Sequence, residues 1–92
     1  MTGTTLQEFP SEFPIKVMGR RGAAPGDGDL RALTQAIVER HAGPIGDERV
    51  KTRTSADGNF LALTYTITAQ SREQLDAIYR ELTACKSVLM AL

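Results

Sequence analysis

Ninety-two residues, 41% of them hydrophobic and 24% charged, suffice for one domain around one core and fall short of two. Eleven basic residues balance eleven acidic ones, so no global field draws the chain to nucleic acid or an anionic membrane, and such binding needs a local patch. The single cysteine, Cys85, excludes an internal disulfide and a cysteine-based zinc site, and a free thiol fits a reducing cytoplasm.

No apolar run approaches the roughly 20 residues that span a bilayer. The opening MTGTTLQEF lacks the basic flank and apolar stretch of a secretory signal. The expectation is a soluble cytoplasmic domain with no membrane partner. Residues 1–11 show little periodicity and read as a flexible tail that docks near Phe9; 12–92 read as one domain.

In FPIKVMG, Ile15 and Val17 alternate with Lys16 and Met18, the period of a half-buried strand. Pro14 has no amide to donate and belongs at the strand's start or where no ladder bond is needed. From Asp29 the period lengthens. Leu30, Leu33, Ile37 and His41 recur at steps of three and four, predicting a helix whose apolar side Ala36 and Val38 widen. Asp27 or Asp29 caps its start, and HAGP stops it: Gly43 tolerates the left-handed conformation and Pro44 cannot continue. ERVKTRTS alternates again, Val50, Thr52 and Thr54 opposite Arg49, Lys51 and Arg53. ADGN then supplies the Asp-Gly signal of a hairpin.

The returning strand, FLALTYTITA, sets Leu61, Leu63, Tyr65, Ile67 and Ala69 against Phe60, Ala62, Thr64, Thr66 and Thr68. Ser71 and Gln74 form a capping-box pattern opening a second helix, with Leu75, Ile78, Leu82 and Cys85 on its apolar side and Tyr79 at the margin. SVLMAL closes the chain as a short strand. The order β-α-β-β-α-β is that of an α+β, ferredoxin-like sandwich: a four-stranded antiparallel sheet, spatial order 4-1-3-2, with two helices on one face. The strand residues Ile15, Val17, Val50, Leu63, Tyr65, Ile67, Val88 and Met90 then point at Leu33, Ile37, Leu75, Ile78 and Leu82. Lys16, Met18, Lys51, Arg53, Phe60, Ala62, Thr64 and Leu89 occupy the opposite face.

Read together, FPxxFPIKVMG, the RHAG helix end, SADGNFLALTYTITAxSxEQLDAIYxEL and the closing VLMAL resemble the YbeD family of small bacterial proteins of unknown function. The resemblance runs over about residues 8–92, with a gap at RRGAAPGDGD, where the family passes from strand to helix in a few residues. It implies a ferredoxin-like fold similar to ACT regulatory domains, such as that of phosphoglycerate dehydrogenase. It also implies a regulatory role near lipoate metabolism, and it carries no catalytic residues to transfer.

Three candidate sites follow. Gly22, Gly26 and Gly28 lack the spacing of a dinucleotide or phosphate-binding loop, so that stretch reads as a connection. The corner of Gly19, Arg20 and Asp29 is nevertheless where an ACT-like domain would hold a small effector, with helix amides and arginine favouring an anion. Against this, Asp27 and Asp29 occupy the natural anion position. The open sheet face, with Lys16, Met18, Lys51, Arg53, Phe60, Ala62 and Leu89, is the candidate interaction surface for a protein partner or a second copy of the chain. The same face raises an RNA-binding alternative, but its strand centres lack the outward aromatics on which such modules stack bases, and charge guarding an edge strand explains the basic stripe more simply. His41 and Cys85 sit on helix stripes with nothing to join them as a catalytic pair. No metal-ligand spacing is present, and neither a cofactor nor an enzymatic activity is expected.

Overall fold

The computed structural model of the protein describes residues 9–20 and 29–92. The tail expected over 1–11 lies mostly outside this range. So do Asp27 and the side chain of Asp29, on which the expected helix cap rests, and the glycine-rich stretch 21–28.

The chain forms β1 (Ser11–Arg20), α1 (Asp29–Ala42), a single 3-10 turn (Asp47–Arg49), β2 (Val50–Thr54), β3 (Phe60–Ala69), α2 (Arg72–Ala84) and β4 (Val88–Ala91). The strands make one sheet in the order β2-β3-β1-β4, with every neighbouring pair antiparallel. This is the ferredoxin-like order expected from the sequence. β1 starts at Ser11, inside the stretch read as tail, because its pairing with β3 runs from Ser11↔Ala69 to Arg20↔Phe60. Pro14 sits well inside this strand. The Lys16 amide donates to the Leu92 carbonyl at 2.9 Å, on the β4 side. Alternate residues aim their amides the same way, so the missing donor of Pro14 falls past the last β1–β4 pair, where no ladder bond is lost.

The core lies between the helices and one face of the sheet. Ile15, Val17, Leu63, Tyr65, Ile67 and Ala69 meet Leu30, Ile37, Val38, Leu75, Ile78 and Leu82 there. α2 keeps its expected stripe and its cap, in which Ser71 Oγ accepts from the Gln74 amide at 3.1 Å. Gln74 also ties α2 to α1, its side-chain amide donating to the His41 carbonyl at 2.8 Å. α1 ends as expected. Gly43 takes φ 84° and its amide closes on the Glu39 carbonyl, while Glu39 Oε2 accepts from the Ile45 amide as the chain turns away.

Two expectations need correction. Leu33 does not point into the core; it is 43% exposed, and Thr34 is fully buried in its place. The buried stripe of α1 is Leu30, Thr34, Ile37 and Val38. A polar residue is tolerated there because its hydroxyl is satisfied twice: it donates to the Leu30 carbonyl at 2.8 Å and lies 2.6 Å from the Tyr65 hydroxyl. The Tyr65 hydroxyl itself donates to the Arg31 carbonyl at 3.2 Å. Burial pushes the Tyr65 phenol above its usual pKa, and the bond to Thr34 opposes the shift.

The second correction concerns Met90, which was expected in the core. β4 pairs Met18↔Met90 and then Gly19↔Val88, with a register break between Met18 and Gly19. The break leaves Leu89 as an extra residue on β4, a β-bulge that resets which side chains face which way. Val88 and Ala91 pack on the core, and Met90 joins Met18 on the open face.

Candidate functional site

Strand register builds the open face row by row. One row runs Arg53, Ala62, Met18, Met90; the next runs Lys51, Thr64, Lys16 and, through the reciprocal Lys16–Leu92 backbone bonds, Leu92. Phe60 lies opposite Arg20 at one end, and Thr66 opposite Pro14 towards the other. Four strands about 4.8 Å apart make this surface about 15 Å across.

Two adjoining depressions cross it and share Met18 and Ala62 as a common floor. The larger, about 400 Å³, runs under the β2–β3 hairpin and is bounded by Arg53, Ser55, Ala56 and Phe60. The smaller, about 110 Å³, continues towards β4 between Lys16, Met90 and Leu92. Its lining is almost wholly carbon, so it suits an aliphatic side chain better than a polar one. The hairpin that walls the larger depression is fixed by its own bonds. Asp57 Oδ1 accepts from the Ser55 hydroxyl and the Asn59 amide, Gly58 takes φ 78°, and the Phe60 amide donates to Ser55 Oγ. The Ser55 bond, and then the Asn59 amide, hold the Asp57 carboxyl below the usual carboxylate range.

Charge on this face is one-sided. Lys16, Arg20, Lys51 and Arg53 project from it, and none is in an ion pair among the described residues. Arg49, at the foot of β2, is paired with a carboxylate of the same face: Arg49 Nη1 donates to Glu12 Oε1 at 2.5 Å, and the Thr68 hydroxyl donates to Glu12 Oε2 at 2.9 Å. The Arg49 bond first, and the Thr68 bond second, hold the Glu12 carboxyl below its ordinary range. Among the described residues the other acidic residues, apart from Asp57 in the hairpin, sit on the two helices and the 3-10 turn.

Arg20 and Gly19 of the candidate effector corner lie on opposite sides of the sheet. Arg20 turns to the open face, its guanidinium 5.9 Å from the centre of the Phe60 ring, while Gly19 is buried on the helix side. A Cβ at Gly19 would stand 2.6 Å from the Ser87 carbonyl oxygen and 2.8 Å from a Leu30 methyl. The glycine therefore admits the close approach of strand, helix and the α2–β4 connection. Among the interaction-face residues, Lys16, Met18, Lys51, Arg53, Phe60 and Ala62 gather on one surface. Leu89 is 55% exposed at the bulge, and Met90 and Leu92 line the depression instead. Those two residues and Arg20 are the members the sequence reading left out. Strict alternation from Lys16 and Met18 points to Arg20; the bulge that turns Met90 outward leaves no mark in an all-apolar segment.

His41 and Cys85 stay apart in role. The imidazole lies against Glu81, which Arg40 also binds, while Cys85 caps α2 and packs on the core. Arg40 foremost, with His41, keeps the Glu81 carboxyl below the usual range. Among the described residues no group of His, Cys, Asp and Glu is placed to hold a metal, and no helix is long and apolar enough to cross a membrane.

Comparison with known proteins fits this picture. The family model "Protein of unknown function (DUF493)" matches residues 4–92. A UPF0250 protein of Leptothrix cholodnii is 46% identical over 88 residues, 96% of this chain and 91% of the relative. The UPF0250 protein RSc0326 of Ralstonia nicotianae is 43% identical over 88 residues, 96% of this chain and 86% of the relative. The solution structure of HP0495 from H. pylori superposes with a TM-score of 0.69 at 11% identity, covering all of this chain and 94% of that one. At that identity the likeness is one of fold.

Proposed function

This chain belongs to the DUF493 family of bacterial proteins of unknown function, to which the YbeD resemblance pointed, and from that premise we propose a regulatory or protein-interaction module that works by binding rather than by catalysis. The partner seats on the open sheet face. The observation that carries this reading is the pair of adjoining depressions floored by Met18 and Ala62 and edged by Lys16, Arg53 and Phe60. An apolar floor with charged margins is the usual anatomy of an interaction surface. The face is favoured over the Gly19 corner because Leu30 and Ser87 already fill the room beside that glycine. The family resemblance adds lipoate metabolism as the setting in which such a cytoplasmic module would regulate.

The test is affinity capture from native lysate with the wild-type chain and with Met18→Asp in parallel, after circular dichroism has established that both are folded. A protein retained by the wild type and lost from Met18→Asp is the expected result. Equal recovery on both, or recovery of chaperones alone, counts against the reading.

A further inference from the structure

We infer that the occupant of the open face is an acidic segment of another protein with apolar side chains interspersed among its carboxylates. This rests on the functional reading above and names the partner's chemistry.

The first argument is charge complementarity. Lys16 and Arg53 line the two depressions, Arg20 lies over Phe60 at one end and Lys51 stands in the next row opposite Thr64, and no carboxylate pairs with any of them among the described residues. The one acidic group on the face among the described residues, Glu12, is already held by Arg49 and Thr68. A cationic surface of this kind steers and retains an anionic partner. It also resists a second copy of itself, since a two-fold stack of open faces would set these cations against one another.

The second argument separates an acidic polypeptide from RNA. Single-stranded nucleic acid binds on platforms of aromatic side chains, one base on each. Here the floor is Met18, Ala62, Met90 and Leu92, and the one aromatic ring, Phe60, has the Arg20 guanidinium over it. Thioether and aliphatic groups adapt to apolar side chains and offer a base no flat partner. The smaller depression, about 110 Å³, is the size of a side chain. Leu, Ile, Phe or Met from the partner enters these depressions, and Asp or Glu on either side reaches the cations.

The experiment pans a displayed random-peptide library on the intact chain. The expected winners carry Asp and Glu with Leu, Ile, Phe or Met between them. A synthesised winner, titrated by fluorescence anisotropy, should lose roughly tenfold affinity or more with Lys51→Glu or Arg53→Glu. It should weaken again as added salt contracts the Debye length to about 3 Å. Met18→Asp should abolish the binding; Arg53→Glu, on an exposed edge strand, serves if that variant folds poorly.

Winners without carboxylates that still need Met18 and Arg53 would overturn the acidic partner and leave the open face as the site. So would a winner displaced by oligouridylate at equal concentration, which would move the partner to RNA. Winners that bind Met18→Asp and Arg53→Glu as tightly as the wild type would remove the open face itself, and the functional reading with it. A library that yields nothing above background counts against both.

Discussion

The two faces of this sheet are built by the same strands, residue by alternate residue, and they have opposite characters. Ile15, Val17, Leu63 and Tyr65 are essentially without solvent contact beneath α1 and α2, while their neighbours Lys16, Met18, Ala62 and Thr64 look outward from the uncovered side. One layer of helices on one face is enough to close a core in a chain of this size. The other face is therefore released from packing, and its residues are free to be chosen for what they bind. Stability and recognition should separate by strand parity.

The sharpest way to break that separation is to truncate on both sides at nearby places. Leu63→Ala empties a site with 0% exposure and should cost about 2–5 kcal/mol. Met18→Ala removes a side chain that is 40% exposed and should cost well under 1.5 kcal/mol, yet weaken capture of the partner. Urea denaturation measures the first pair of values and the capture assay the second. Equal stability losses would mean that the open face is packed against something in the folded state.

Gly19 sharpens the same comparison from the buried side. Gly19→Ala places a methyl group against the Ser87 carbonyl, which is backbone, and against Leu30, which is itself buried. Neither can give way freely, so about 1–3 kcal/mol of destabilisation is expected from overpacking. It should appear as a lower denaturation midpoint with an unchanged slope. Binding at the open face should survive in the folded fraction. Loss of binding without loss of stability would instead make the corner a ligand site.

Parity was legible in the sequence wherever polar and apolar residues alternate. Ile15-Lys16-Val17 in β1 and Leu63 to Thr68 in β3 do so, and the phase they set assigns Ile15, Val17, Leu63 and Tyr65 to the core and carries Lys16, Met18 and Ala62 to the surface. It failed in two places for definite reasons. In VLMAL every residue is apolar, so a period of two has no phase, and the bulge at Leu89 reverses Met90 without leaving a trace. In α1 the apolar steps favour Leu33. The burial of Thr34 depends on the Tyr65 hydroxyl, which lies far along the chain and comes near only in the folded sheet. The candidate site shared this fate: its cations and Met18 were readable, whereas Met90 depended on the bulge.

The smallest expected effect lies at the edge of the open face and tests how far the docking surface extends. Glu12 occupies Arg49 through a 2.5 Å bond. That bond holds the Glu12 carboxyl below its ordinary range, with the Thr68 hydroxyl assisting. A depressed carboxylate adds stability above its unfolded pKa and loses that contribution as pH falls through its folded value. Glu12→Gln should therefore lie slightly below the wild type in melting temperature at neutral pH and converge with it in acid. For binding the sign reverses. The substitution frees Arg49 beside Lys51 on β2, and affinity for an acidic peptide at neutral pH should rise roughly two- to fivefold, the scale of one exposed ion pair. An unchanged affinity would confine the surface to the rows of Lys16, Arg20, Lys51 and Arg53. A rise would extend it along β2 to Arg49, so that folding and binding pull in opposite directions on one carboxylate.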